Sequence, residues 1–473
     1  MSRDASLAGA VAVYDSGEFL AQLRRRVAHP SESAFPEREG ALRAYLDEEI
    51  VPAVEAMGFE ARIVENPVSP RHRFLVATRV EDDALPTVLT YGHGDVQPAH
   101  AEQWRDDLDP WQVTVDGERW YGRGVADNKG QHTVNLVALE QVLAARGGRL
   151  GYNVTLLLDM GEEFGSPGLA ELCARERELL TADLLIGSDG PRVAADRPTV
   201  FLGTRGSVNL TLRVHSRDEG QHSGNWGGVL VNPAVRVAHA LAALVDAHGR
   251  LLVEALRPDG IPEPVRRALA DIAVDQGPDS PRLDSDWGEP GLTPSERLFG
   301  WNTLEVLAMK AGDPDGPVNA IPPSARAHCQ LRCVVGIDVD GVGDAVRAHL
   351  VDRGFADVEV EVEHTMAPTR LDPQDPWVSW TLASLERSTG LRPALLPNLG
   401  GSLPNNPFVE VLGLPTVWVP HSYPGCAQHA PDEHLPAPLV RESLQVMAGL
   451  WWDLGELTCW PPASPDEDGT SAR

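Results

Sequence analysis

Between residues 74 and 203 the chain repeats one pattern, a short apolar run followed by a polar break or a helical stretch. The runs are FLVATRV (74–80), TVLTY (87–91), NVTLLLD (153–159), DLLIG (183–187) and TVFLG (199–203). Near-continuous apolar runs of that length predict strands buried on both faces. KGQHTVNLVALEQVLAARG (129–147) predicts a helix between two of them. Upstream, Leu42, Tyr45, Leu46, Ile50, Val54 and Met57 recur at helical spacing until Gly58 ends the run. Buried strands alternating with helices predict an α/β fold, with a mostly parallel central sheet flanked by helices.

The pattern changes after Gly206. SVNLTLRVH (207–215) alternates strictly, with Val208, Leu210, Leu212 and Val214 on one face, as a half-exposed strand requires. A helix at 233–248, strands near 303–308 and 325–335, a helix at 341–353 and a strand at 357–363 follow. The order β-α-β-β-α-β is that of a ferredoxin-like unit, with the loop-rich stretch 255–300 as an insertion within it. From about 377 the α/β character returns, with a helix at 377–389, the strand TVWVP (416–420) and a last helix at 437–453. The expected organisation is a catalytic domain in two parts, 1–205 and 367–460, interrupted by an inserted lid and dimerisation domain at 206–366. A disordered tail is expected at 461–473.

Length and charge narrow the function. A chain of 473 residues exceeds one ordinary domain. Its 40 basic and 69 acidic residues leave a net charge of -29, which repels phosphate backbones and argues against nucleic-acid partners. No apolar run approaches the length of a membrane span, and the first residues lack a signal-peptide layout, so a cytoplasmic protein is expected. Cys173, Cys329, Cys333, Cys426 and Cys459 are scattered and odd in number, which argues for core thiols over a disulfide framework.

The chemistry lies where polar residues follow the apolar runs. His93 and Asp95 come after TVLTY, Glu162 and Glu163 after NVTLLLD, Asp189 after DLLIG, and His429 after TVWVP. Asp127 precedes the 129–147 helix. Singly, each has an ordinary explanation, a surface histidine or a helix N-cap. Together they deliver metal-competent groups past the carboxyl ends of four strands, where open α/β sheets build their sites.

Taken in order, HGDVQP, GRGVADNKG, GEEFGS, GSDG, GTRG, NPA, GGSLP and HAPDE resemble the M20 family of metallopeptidases, and within it the carnosinase-like cytosolic dipeptidases. The resemblance spans roughly 17–455. It implies two divalent ions per subunit, Zn, Mn or Co, one on His93, Asp127 and Asp189 and the other on Asp127, Glu163 and His429. Asp127 would bridge them. Glu162 would be the general base, and Asp95 would take the free N–H of His93. From the inserted domain, His222 would stabilise the oxyanion in the partner subunit's site, Asn319 would be lent across the dimer, and Arg332 would grip a substrate carboxylate. Gly401 and Ser402 would line the substrate pocket. The implied partners are a small peptide and a second copy of the chain.

Some positions depart from the family pattern. Asp432 stands where many relatives have Asn, and Gly94 where a bulkier residue is common. Carnosinase-type members place a histidine just before a PWV segment, where this chain offers Arg370 or Asp372 and has His364 displaced upstream. The expected reaction is hydrolysis of a dipeptide amide bond. The alternatives are an N-acyl-amino-acid amidohydrolase using the same site and a non-catalytic metal-binding protein on the same fold, which the intact ligand and base set disfavours.

Overall fold

The computed structural model describes residues 2–274 and 281–462; the expected tail lies, from residue 463 on, outside the described residues. The chain first lays down Glu60–Val64 (β1), Phe74–Arg79 (β2), Thr87–His93 (β3), Asn153–Asp159 (β4), Leu184–Gly187 (β5) and Thr199–Phe201 (β6). It then forms Gly206–His215 (β7), Thr303–Lys310 (β8), Ser324–Cys333 (β9) and Glu359–Met366 (β10), and returns with Ala394–Leu396 (β11) and Thr416–Trp418 (β12).

The large sheet has the order β1-β2-β4-β3-β5-β12-β6-β11. Its centre, β4-β3-β5-β12, is parallel throughout. The pairs β1–β2, β2–β4 and β12–β6 are antiparallel and β6–β11 is parallel, so the sheet is mixed, four of its seven pairings being parallel, and the sequence pattern did not show the antiparallel ones. The reason is physical: a continuous apolar run records burial on both faces, and burial carries no direction.

Strand alternation feeds two cores. Val88, Leu156, Leu158, Ile186, Val200 and Val417 point to one face. There they meet helices Lys129–Ala145 and Ala437–Leu454. Leu89, Tyr91, Leu157, Leu185, Phe201 and Trp418 point to the other face. An N-terminal helix, Arg3–Asp15, closes the first core and is tied to the last helix by an Arg3–Asp453 ion pair at 2.9 Å. Its alanine-rich sequence carries little amphipathic signal, and the pattern reading passed over it.

The small sheet has the order β8-β9-β7-β10, antiparallel throughout. Helices Pro233–Leu244 and Val342–Asp352 cover one face of it. That is the expected β-α-β-β-α-β unit, with its last strand at Glu359–Met366 where the sequence suggested 357–363. Cys329 and Cys333 are buried in its core, as expected of structural thiols, and burial pushes both up to about 11.

The stretch 255–300 belongs elsewhere than the pattern placed it. Helices Glu263–Leu269 and Pro294–Phe299 carry Ile261, Val265, Leu269 and Phe299 into the second core of the large unit, beside Phe201, Leu399 and Phe408. The Arg197–Asp271 ion pair fastens it to the large unit, and Arg266–Glu296 joins its two helices. The chain therefore leaves the small unit, straps onto the large one and goes back. Leu269→Ala should lower stability by about 2–4 kcal/mol, whereas Val80→Ala, at a position 62% exposed, should change it by less than about 0.5 kcal/mol. Equal urea midpoints for the two variants would mean that the strap is not part of the core.

Candidate metal centre

His93 closes β3, and its neighbours in the sheet place the other groups around it. Glu162 and Glu163 follow β4, Asp189 follows β5, and His429 lies in the loop after β12. These four strands are the parallel centre of the sheet, so their carboxyl ends open on one side.

Asp127 sits in the middle. Its Oδ1 lies 3.1 Å from His93 Nε2 and its Oδ2 3.0 Å from His429 Nε2. His429 Nε2 is also 3.2 Å from Glu163 Oε2. Asp189 Oδ2 lies 3.4 Å from His93 Nε2, buried and without a hydrogen-bond partner among the described residues. Glu162 Oε2 stands 3.9 Å from the same nitrogen, and its carboxylate makes no hydrogen bond among the described residues. His93, Asp127 and Glu163 offer ligand atoms within 4.8 Å of one another, a spacing that one ion can span.

Asp95 does two jobs. Its Oδ1 lies 3.3 Å from His93 Nδ1, and its two oxygens accept the backbone N–H groups of Glu162 and Glu163 at 3.1 and 3.0 Å. It thus orients the imidazole and shapes the turn that carries both glutamates. Two further residues were not singled out from sequence. Gln97 donates to Glu163 Oε2 at 3.0 Å and to its carbonyl at 3.2 Å. Glu433, fully buried, accepts the N–H groups of Gly124, Ala126 and Asp127 and the Arg123 guanidinium. Both lie inside quoted motifs, HGDVQP and HAPDE, yet their partners are mostly backbone amides, which residue spacing does not reveal.

Crowding sets the electrostatics. Burial raises Glu162 well above the ordinary carboxyl range; the His93 charge opposes this, and Asp189, Glu163 and Asp127 add to it. Burial, then the Asp127 charge, pushes Glu163 up to about 7. Hydrogen bonds to Asp127 and Glu163 push His429 up to about 11. Five carboxylates around two imidazoles carry more negative charge than two protonated histidines could balance. The orphaned Asp189 oxygen, the two-sided Asp127 and the mixed imidazole and carboxylate donors fit divalent cations of the Zn, Mn or Co kind. His429 itself is held at φ 63°, a left-handed backbone that costs a histidine about 1 kcal/mol or more and recurs at ligand-holding positions.

Among the other expected site residues, Arg332, Gly401 and Ser402 come together. Arg332 Nη1 on β9 donates to Ser402 Oγ at 2.7 Å, joining the small sheet to the 399–402 loop of the large unit. His222 and Asn319 form a separate exposed patch on the small unit, linked through the pairing of His222 with Ala320 and through Ser223, which donates to the Asn319 carbonyl. Among the described residues, neither hydrogen-bonds to the His93 cluster. Gly94 has a packing reason: a Cβ there would fall 2.5 Å from the Tyr45 ring. Asp432 lies outside the cluster and accepts the Arg105 N–H at 3.0 Å. His364 lies over the glutamate turn, its Cε1 3.7 Å from where a Cβ on Gly165 would sit.

Comparison with known proteins agrees with this geometry. The model for peptidase family M20/M25/M40 matches residues 89–453. The chain belongs to that family. This M20 chain is 27% identical to a cysteinylglycine-S-conjugate dipeptidase of Corynebacterium striatum over 81% of its own length and 83% of the relative's. It is 36% identical to the Beta-Ala-His dipeptidase of Mus musculus over 60% of its length, an alignment that spans 58% of that relative. Among solved structures, the Saccharomyces cerevisiae di-peptidase Dug1p superposes with a TM-score of 0.79 at 21% identity, covering 97% of this chain and all of that one. An M20 family metallo-carboxypeptidase from Sulfolobus solfataricus gives 0.79 at 24% identity, over 93% of this chain and all of that one. Those likenesses establish the shared fold.

Proton release should accompany ion binding. Glu163 and His429 both have to lose a proton to act as ligands, so apparent affinity for Mn or Zn should rise as pH goes from about 5 to about 8. Calorimetry in two buffers of different ionisation enthalpy reads the released protons directly. A flat affinity across that range would mean that these two groups are not ligands.

Proposed function

We propose that this chain hydrolyses the amide bond of dipeptides at a centre of two divalent ions. The observation that carries the reading is Asp127, whose two oxygens face different histidines while Glu162 stands beside the cluster without a hydrogen-bond partner among the described residues. His93, Asp127 and Asp189 would hold one ion and Asp127, Glu163 and His429 the other. When bound, the pair supplies the Lewis acidity that polarises the scissile carbonyl and lowers the pKa of the attacking water.

The chain's own residues do the rest. Glu162 takes a proton from the water and passes it to the leaving amine, a task suited to a carboxyl that burial raises well above its ordinary range. Asp95 holds the His93 ring and the glutamate turn in register. Arg332, steadied by Ser402, binds the substrate's terminal carboxylate beside Gly401. The choice of dipeptides over acyl-amino acids, and of the carnosinase-like branch, is supported by relatives named as dipeptidases, the Corynebacterium striatum protein over most of the chain.

His222 is assigned to the site of a second copy. Its Nδ1 accepts the Gly224 N–H at 3.1 Å, which leaves Nε2 outward-facing on an exposed patch. Trp226, Val229 and Val318 around it are 45%, 76% and 78% exposed, an apolar surface that a homodimer would cover. The 206–366 unit then acts as lid and dimerisation domain, with Asn319 lent alongside His222.

Glu162→Gln should keep two ions per chain by elemental analysis and lose turnover by about a hundredfold to ten-thousandfold. Undiminished turnover would remove Glu162 from the mechanism. A dipeptide panel beside the matching N-acetyl amino acids separates the peptidase from the deacylase: cleavage of the acyl compounds alone would overturn the dipeptide assignment and leave the metal centre in place. Mixing inactive His222→Ala with inactive Glu162→Gln should restore about a quarter of wild-type activity, since half the re-formed dimers carry one complete site. No recovery after subunit exchange would place His222 in its own chain's site or outside catalysis.

A further inference from the structure

Arg205 bridges the two sheets in the segment between β6 and β7, and no role has been given to it so far. It is 6% exposed, and the 399–402 loop holds it from three sides. Its N–H donates to the Leu399 carbonyl at 3.1 Å, its Nε to the Gly400 carbonyl at 2.8 Å, and its own carbonyl accepts Ser402 Oγ at 2.7 Å. That same Ser402 hydroxyl accepts from Arg332.

The two guanidiniums share one place. Arg332 pairs with Ser207 across β9 and β7, and Arg205 lies two residues ahead of Ser207, so strand alternation sends both side chains to the same face. Neither makes a salt bridge among the described residues, and neither terminal nitrogen of Arg205 has a protein acceptor there. Burial, then the Arg332 charge, lowers Arg205 to about 10, and Cys333 and Glu305 oppose this only in part.

In a chain with 69 acidic residues against 40 basic ones, acids were available to neutralise them. A buried guanidinium without a counter-charge is costly unless an outside anion completes it. One carboxylate satisfies one guanidinium fork. Two forks flanking a serine hydroxyl match two carboxylates on one small ligand.

We propose that Arg205 is a specificity-determining residue, and that Arg205 and Arg332 together bind a C-terminal substrate residue bearing a second carboxylate, so that the preferred dipeptides end in Asp or Glu. The inference rests on the dipeptidase reading and deepens it. Arg332 takes the main-chain carboxylate and Arg205 the side-chain carboxylate.

The test uses isosteric pairs in the ion-loaded protein, Ala-Glu against Ala-Gln and Ala-Asp against Ala-Asn. In wild type, kcat/KM should favour the acid of each pair by about tenfold or more, mainly through KM. In Arg205→Gln the ratio should fall towards one. In Arg205→Lys, which keeps the charge and loses the fork, it should shrink without vanishing. No acidic preference in wild type, or a ratio that Arg205→Gln leaves unmoved, overturns the proposal. Should Arg205→Gln fail to fold, the wild-type ratio and the lysine variant decide the matter. If no dipeptide is cleaved at all, the dipeptidase reading fails, and calorimetry of glutarate against butyrate still tests the site. Glutarate binding that is lost in the Arg205 variants supports two cations acting on one dicarboxylate. Equal binding of the two acids in wild type overturns it.

Discussion

Everything at the centre depends on the position of Asp127, and that position depends on Glu433. Asp127 reaches two histidines from opposite sides only because its backbone is pinned, and the pin is a buried carboxylate more than three hundred residues downstream. Glu433 accepts three loop amides, those of Gly124, Ala126 and Asp127, and the Arg123 guanidinium at 2.7 Å. A buried ion pair seldom stabilises a fold, since desolvation offsets its attraction. Its value here is geometric. The amides of a loop that must stay irregular need acceptors, and one carboxylate with both oxygens occupied supplies them where no strand or helix can. The 429–434 segment that carries His429 carries Glu433 too, so one loop after β12 both supplies a ligand and positions its partner.

The sheet does the coarse placement. Four adjacent parallel strands end together at the cluster, and the antiparallel pairings towards the edges carry none of its residues. Two cores, the first about twice the second, clamp that centre between helices on one face and the strap helices on the other. The strap matters because Leu298 and Phe299 lie within 3.7 Å of where a Cβ on Gly400 would sit, next to the loop that joins Arg205 and Arg332. A segment inserted in the small unit thus supports the large unit's side of the cleft, and rotation between the units must carry or release it.

What could be read from the sequence follows the same division. The strand ends announced His93, Glu162, Glu163, Asp189 and His429, because an apolar run that stops at a carboxylate or imidazole is a local signal. The small unit was legible through strict alternation at Val208, Leu210, Leu212 and Val214. Sheet direction was not legible, since Phe74–Arg79 looks the same run forwards or back. The strap was not legible either: Glu263–Leu269 and Pro294–Phe299 are too short for helical periodicity to stand out, and their apolar residues find partners in another unit. Glu433 and Gln97 escaped for a third reason. Their work is done on backbone amides and on another ligand's carboxylate, and a side chain that serves the main chain leaves no spacing rule behind it.

Charge makes opposite demands at two places in the fold. At the sheet end, five carboxylates crowd two imidazoles and call for cations; across the small sheet, Arg205 and Arg332 stand as cations and call for anions. On the dipeptidase reading proposed above, opposite demands at two places would order a peptide before any shape is considered, because one alignment puts its carboxylate at the arginines and a carbonyl oxygen at the ions the cluster would hold. Reversing the peptide would bring its ammonium towards two guanidiniums, a repulsive contact. The negative surface of the whole chain has little bearing on that choice. Charges beyond about one Debye length, roughly 8 Å in physiological salt, are screened, whereas these buried groups are screened much less.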